Sequence, residues 1–390
     1  MSAPTLIVAG LRASGSGYPN AEQTLLQLQA HDVARLRDLG KPLPPQLHLW
    51  KLRGLSPLRQ LWTLARLGLG NLLSLLRVLL AARGRAVPVY VPYPSLFFMW
   101  LASWLPARLR PRCIVDAYIS IWDSMFRDRA RGGDSAASRR VRRIEARALR
   151  AAAVVLVDTE ANRQAMIDDF GLDPQRVRSL PLAIDSDAFL AIDDAAARGD
   201  GPLRVLFVGT LIPLHGVPAI VDAVRRLSAD PAQRGRFAFR FVGDGQLGPA
   251  LEAFIAEQAA AGGDGARIDW VRDWQPLSAL AQEIAAADIC LGVFGGDGKA
   301  ARVLPFKLYM YLAAGRAVVS QAKSSLPQGA PPPPLIAVAS ADGAELARAL
   351  AALADDPARR VALGRQAREY FHAHLAPARL MALWRGLLAP

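Results

Sequence analysis

The sequence predicts an α/β protein built from two doubly wound domains. Three observations carry that expectation. The 390 residues are 52% apolar and 21% charged, more than one small core requires. Strand-like and helix-like runs alternate from end to end, as βα units on parallel sheet do. The alternation also starts twice with the same strand-to-glycine step, Val8-Ala9-Gly10 and Phe207-Val208-Gly209, on either side of a polar, Ala- and Asp-rich segment at 190–202. The domains are therefore expected over 1–195 and 200–375.

In the first half, β-branched and aromatic runs of strand length stand at TLIVAG (5–10), VPVYV (87–91), RCIVD (112–116), AVVLVDT (153–159) and VRSLPL (177–182). Helices are expected between them over 19–38, 95–105, 136–152 and 160–170. The segment 86–107 is uncharged, but its prolines leave only Ser95–Leu105 for uninterrupted helix, too short against the roughly 20 residues that span a bilayer. In the second half the strands are LRVLFVG (203–209), FAFRFVG (237–243), RIDWV (267–271), DICLGVF (288–294) and AVVSQ (317–321). Helices are expected over 216–228, 246–261, 277–287, 305–314, 343–354, 357–374 and 376–388. QGAPPPP at 328–334 reads as a stiff connection.

Charge is distributed unevenly. The net balance is +13, and residues 1–190 hold 26 basic against 15 acidic side chains. No acid occurs between Asp38 and Asp116, where eleven Lys or Arg do. Within that stretch, Leu61, Trp62, Leu64, Ala65, Leu69, Leu72, Leu73, Leu76, Leu79 and Leu80 recur near helical spacing over about 55–84, with Arg in the polar sectors. Arg77 at the centre of a span would cost about 2.5–3.5 kcal/mol. Lying on an anionic leaflet, such a helix would gain about 1 kcal/mol per basic residue near the surface. An anionic membrane surface is thus the expected partner, not nucleic acid; a core-covering helix with solvated arginines is the alternative. Cys113 and Cys290 each sit in an apolar strand-like run, so neither a disulfide framework nor a Cys metal site is supported. The amino terminus lacks the pattern of a signal peptide. The expected setting is cytoplasmic, peripherally attached to the inner face of the cell membrane.

Four glycine-rich loops follow strands and suit phosphate recognition by backbone N–H groups. The first contains Gly15 and Gly17. The second holds Gly209, Thr210, His215 and Gly216. The third, Gly243-Asp244-Gly245 with Gly248, also spells G-x-G-x-x-G, so a dinucleotide site is weighed; against it, the motif follows the second strand of its domain. The fourth is the most specific: Phe294, Gly295 and Gly296 lead to Lys299 and Arg302, Pro305 opens a helix carrying Lys307, and Gly315 ends it. Three cations around a glycine loop and a helix start make a diphosphate clamp that can neutralise a leaving group without a metal. Among the histidines and carboxylates no metal-ligand spacing is evident.

The order of these motifs resembles the donor-binding domain of retaining GT-B glycosyltransferases of the bacterial group 1, or family 4, type. Val208-Gly209-Thr210-Leu211, His215-Gly216, Gly243-Asp244-Gly245 and Leu312-Ala313-Ala314-Gly315-Arg316-Ala317-Val318-Val319 carry the likeness. IVDAYISIWDSMFRDR (114–129) and LVDTEANRQ (156–164) are similar to the acceptor half of a poorly characterised subgroup. The sequence departs from the pattern at His215 for Lys, Thr210 for Arg, and Arg302 and Met310 for two glutamates, the second of which holds the ribose in the family. A thioether cannot replace that acceptor with comparable strength.

The resemblance implies two Rossmann-like domains facing across a cleft, with a nucleotide-sugar donor on the C-terminal one and a lipid-linked glycan or polysaccharide acceptor on the N-terminal one. It also implies a final helix (376–390) returning to the first domain, retention at the anomeric carbon, and no cofactor or metal. Asp116, at a strand's carboxyl end, is the candidate for hydrogen-bonding a sugar or acceptor hydroxyl, with Asp123 in reserve; helix capping or ion pairing is the alternative for both. Arg302 and Lys307 are the catalytic cations, and Phe294, Lys299 and Met310 join the glycine loops at the donor. Trp274, with Trp270, lies in the loop where such folds often stack a base; core packing is the alternative for both. A catalytically silent GT-B binding or assembly protein is the second reading.

Overall fold

The computed structural model describes residues 3–14, 19–43, 56–82, 87–127, 135–193, 201–260, 265–339 and 341–389. The chain divides into two units, Met1–Ile184 with Pro377–Pro390, and Asp185–Ala376.

The first unit is built on Val-, Ile- and Leu-rich strands that parallel sheets bury on both faces. These are β1 (Thr5–Val8), β3 (Arg35–Asp38), β5 (Val89–Val91), β6 (Cys113–Asp116), β7 (Val154–Val157) and β8 (Val177–Ser179). They pair in parallel in the order β3-β1-β5-β6-β7-β8, and two-residue strands β2 (Leu11–Arg12) and β4 (Lys41–Pro42) pair beside them. The order reverses between β1 and β5. The helices are α1 (Asn20–Ala30), α2 (Pro57–Ala81), α3 (Leu96–Ala102), α4 (Ala136–Arg150) and α5 (Glu160–Phe170). Ser135 caps α4 and Thr159 caps α5 through their hydroxyl oxygens, and Gly171 stops α5 in the left-handed region at φ 60°.

One expectation fails here. The helix expected over 19–38 ends at Ala30, because Asp32 turns the chain at φ 50° and Arg35–Asp38 adds an edge strand to β1. β3 is mostly exposed, so it lacks the apolar alternation that betrays a buried strand.

Helix α2 is anchored by Leu67, Asn71, Ser74, Leu75 and Val78. The Ser74 hydroxyl accepts the Gly10 N–H and the Asn71 carbonyl accepts that of Leu11, at 2.9 and 3.1 Å. Its other side exposes Leu58, Leu61, Trp62, Leu69, Leu72, Leu73, Leu76 and Leu80. By length and composition alone, this helix is apolar enough to cross a membrane.

The second unit begins with α6 (Asp187–Leu190) and contains β9 (Leu203–Val208), α7 (Val217–Ala229), β10 (Phe237–Val242), α8 (Gly248–Ala260), β11 (Arg267–Val271) and α9 (Leu277–Ala286). It continues through β12 (Ile289–Leu291), α10 (Lys299–Arg302), α11 (Phe306–Ala313), β13 (Ala317–Gln321), β14 (Ile336–Val338), α12 (Gly343–Asp355) and α13 (Pro357–Tyr370). The sheet is parallel, in the order β11-β10-β9-β12-β13-β14, which places a topological switch point between β9 and β12. β14, unread in the sequence, follows directly on the proline run. Phe207, Phe237, Phe239, Phe241 and Phe294 fill the core.

The chain then returns to the first unit as α14 (Pro377–Leu388). Leu380, Met381 and Trp384 are buried there, Trp384 edge-on to Tyr90 at 5.1 Å.

Candidate functional site

Doubly wound sheets bind ligands at the carboxyl ends of strands where their order reverses. In the second unit that place is between β9 and β12, and three loops converge on it. The Gly209 N–H donates to Val242, the Leu211 N–H to the Asp244 carbonyl at 3.1 Å, and the Phe294 N–H to the His215 carbonyl at 3.2 Å. Close approach explains the glycines. Gly216 is left-handed at φ 68°, and a Cβ there would collide with the Phe294 carbonyl carbon; one at Gly295 would strike the Leu214 carbonyl.

Lys307 enters this junction from the first turn of α11. It is only 4% exposed, donates to the Gly292 carbonyl at 3.1 Å and stands 3.8 Å from the centre of the Phe207 ring. A Cβ at Gly209 would lie 3.3 Å from its Nζ and 3.1 Å from His215 Cε1, so Gly209, His215 and Lys307 share one spot. Among the described residues no carboxylate pairs with this ammonium, and burial lowers its pKa well below the usual lysine range. Burial first, and the Lys307 charge second, hold the His215 pKa well below that of free histidine. The ring is therefore neutral near pH 7. Its Nδ1 lies against the Thr210 carbonyl, which can only accept, so Nδ1 carries the proton and Nε2 keeps a lone pair.

Two residues that the sequence reading missed hold this arrangement. The Tyr311 hydroxyl accepts the Val208 N–H at 3.0 Å, locking α11 to the end of β9. The buried Gln321 carboxamide accepts the Gly296 N–H at 3.0 Å and donates to the Gly296 and Lys323 carbonyls. A polar side chain closing the otherwise apolar AVVSQ strand was the available signal for Gln321. Nothing separates Tyr311 from ordinary core in the sequence.

Of the other expected donor residues, Lys299 and Arg302 lie half-buried on α10, which packs against the turn Pro213–His215. Gly243, Asp244 and Gly245 lie beside Gly209 and Leu211; Asp244 is exposed and its carboxylate accepts the Gly245 N–H at 2.7 Å. Met310 is buried in α11. Trp274 is exposed after β11, while the Trp270 indole donates to the Gly243 carbonyl at 2.8 Å and is committed to holding that loop. Lys307, expected as an open member of a three-cation clamp, is instead sealed beneath the glycine loops: α11 is buried from Lys307 to Ala313, and its second residue points inward with the rest.

In the first unit, Gly15 and Gly17 lie outside the described residues. Asp116 ends β6 fully buried, accepts the Tyr118 N–H at 3.2 Å and hydrogen-bonds the Tyr90 hydroxyl. Asp123 is buried in a π-helical turn, 3.5 Å from Arg127. Both carboxylates thus have local partners of the kind a structural role requires. A third acid, Glu145 on α4, organises the loop between them, accepting from Ser120 Oγ and from the Ile121 and Trp122 N–H groups. No group of three or more His, Cys, Asp or Glu among the described residues can hold a metal ion.

With the geometry in place, comparison with known proteins adds the following. Residues 10–183 match the family described as Glycosyl transferase 4-like domain, and residues 225–385 match the one described as Glycosyl transferase-like. A D-inositol 3-phosphate glycosyltransferase of Geodermatophilus obscurus is 31% identical over 145 residues, 35% of this chain and 32% of that protein. The one from Acidothermus cellulolyticus is 34% identical over 106 residues, 25% of this chain and 23% of that protein. The match thus spans a third or less of these curated relatives.

Among solved structures, Anabaena HepE in complex with UDP-glucose aligns with a TM-score of 0.64 at 14% identity, covering 98% of this chain and 99% of that one. The E. coli trehalose-6-phosphate protein bound with UDP-2-fluoro glucose aligns at 0.68 and 14%, covering 98% of both chains. Sucrose-phosphate synthase from Thermosynechococcus elongatus aligns at 0.65 and 16%, covering 99% and 98%. These likenesses concern the fold.

Proposed function

The chain belongs to the group 1 glycosyltransferases of the GT-B fold, and from that membership we propose that it moves a hexose from a nucleoside-diphosphate sugar to a lipid-linked or envelope polysaccharide acceptor. In this reading the donor is a UDP-sugar, as in the HepE and E. coli complexes, and lies at the β9/β12 switch point. Transfer proceeds with retention and without metal. The observation that carries the reading is Lys307: the positive charge that Thr210 and His215 do not supply from the β9 loop is delivered to Gly209 from α11. An ammonium fixed there stabilises the diphosphate as it leaves, in a site from which water is largely excluded. The exposed leucine and tryptophan side of α2, free of acidic residues, holds the protein on the cytoplasmic membrane surface.

Calorimetry with UDP, GDP and NAD tests the donor assignment. UDP should bind and NAD should not, and Lys307→Ala should weaken UDP at least tenfold; NAD binding, or equal UDP affinity in the variant, refutes it. Met310 favours a second reading, a silent binding protein. UDP binding without turnover of any UDP-hexose tested would select that one.

A further inference from the structure

A concentration of arginine side chains in the first unit lies away from Gly10 and Asp116. A cavity of about 790 Å³ runs along the solvent side of α4, walled by Arg110, Arg139, Arg142, Arg143, Arg147 and Arg150. Arg110 precedes β6, Arg150 precedes β7 and Asp169 closes α5 ahead of β8. The cavity therefore opens toward the amino ends of the strands, whereas Gly10 and Asp116 stand at the carboxyl ends. It does not belong to the crevice where a doubly wound domain binds substrate.

Among the described residues, Arg110, Arg142, Arg143, Arg147 and Arg150 are held in place by carbonyl and hydroxyl oxygens and by no carboxylate. Arg110 donates to the Leu105 carbonyl at 3.0 Å, and its buried Nε has no partner. Arg147 donates through Nε to Ser103 Oγ at 3.0 Å and lies 3.6 Å above the Trp104 ring. Arg142 and Arg150 donate through Nε to the carbonyls of Asp169 and Phe170, both at 2.8 Å. Among the described residues, the terminal nitrogens of Arg142, Arg143, Arg147 and Arg150 make no hydrogen bond. The one carboxylate in the wall, Asp169, is engaged by Arg127 at 2.6 Å, and Glu145 of the same helix faces inward. Oriented, uncompensated guanidinium forks of this kind match the oxygens of a phosphate.

The rim shows where such a phosphate comes from. Trp104 and Leu109, which flank the loop leading to Arg110, are 61% and 56% exposed. Beyond them α3 packs against α2, the helix whose other side carries the exposed leucines. Aromatic and aliphatic side chains beside cations are the surface that a bilayer's headgroup region receives. We propose that this arginine-lined cavity binds the phosphate headgroup of anionic membrane lipids and fixes how the first unit sits on the leaflet. The proposal rests on the membrane-surface reading above, and adds to it a discrete lipid site remote from α2's own contacts.

Flotation of the full chain with phosphatidylcholine vesicles, with and without phosphatidylglycerol, tests it. The wild type should bind the phosphatidylglycerol vesicles at least tenfold better, and Arg143→Gln/Arg147→Gln should lose most of that preference, keeping only the part that the arginines of α2 supply, while retaining its melting temperature and UDP affinity. Should the double variant melt early, Arg143→Glu alone must still reduce the preference severalfold. Leu69→Gln/Leu73→Gln should weaken binding to both kinds of vesicle. Wild-type binding to neither would overturn the membrane reading itself. An undiminished preference in both arginine variants would overturn only the cavity. Calorimetric binding of glycerol 3-phosphate without any vesicle preference would replace the lipid by a soluble phosphate and overturn the assignment.

Discussion

Burying a lysine without a carboxylate is costly, and Lys307 shows what the fold tolerates for it. The unfolded lysine keeps its proton up to its ordinary pKa of 10.5, while the folded one loses it earlier because burial disfavours the charge. Between those two pKa values the unfolded chain binds more protons, so Lys307 makes stability rise with pH there and exacts its full penalty below. Replacing Lys307 by Met keeps the volume and removes the penalty. Thermal unfolding of the ligand-free variant should move up by a few degrees while calorimetry shows at least tenfold weaker UDP; a lower melting temperature would mean that the Gly292 and Phe207 contacts outweigh desolvation. His215 acts in the same direction on the acid side. Its depressed pKa makes stability fall as pH drops below 6.5, and His215→Gln should flatten that loss in a pH series of melting temperatures. In the sequence, Lys307 was legible as a charge next to a glycine loop. Its burial was not, because the residues that cover it, Gly209, His215 and Phe207, lie about 100 positions away.

At the scale of elements, α4 is the informative helix. Its outward side is arginine, and its one acid is turned in to cap residues 120–122. Burial drives the Glu145 carboxyl up to about 7, against the three donors that pull it down. The folded state therefore holds a proton that the unfolded state releases near 4.5, and this group's stabilisation, complete below pH 4.5, is lost as pH climbs to 7. Glu145→Gln should remove that slope from the first unit's unfolding, at a cost of about 1–3 kcal/mol for the acceptor it gives up; an unchanged slope would mean that the carboxyl is ionised throughout. Elements with strong apolar runs and caps, such as α5 and β10, could be read from the sequence almost to the residue. β3 could not, because an exposed edge strand of RLRD carries no pattern, nor could β14, whose three residues follow a run of prolines.

Across the whole molecule, the two sheets show which parts of a doubly wound fold a sequence reveals. The count and direction of strands follow from alternation. The two different strand orders, with reversals at β1/β5 and at β9/β12, follow only from tertiary pairing. Helix α14 makes the same point about connectivity. Trp384 is buried on Tyr90, and Trp384→Ala should destabilise the first unit by about 3–5 kcal/mol, read by urea unfolding, while UDP binding at the second unit persists. A change below about 1 kcal/mol would show that α14 merely rests on that surface. The placement of α14 also sets a timetable for biosynthesis. Leu6, Tyr90, Ile114 and Leu156, the strand side chains it covers, emerge from the ribosome long before residues 377–388. Translation of 185–376 at roughly 5–20 residues per second keeps that surface bare for about 10–40 s. A nascent chain in this interval is a natural client for a holdase, and a nonsense codon within the last few dozen triplets yields an aggregating product although every glycine loop is already intact.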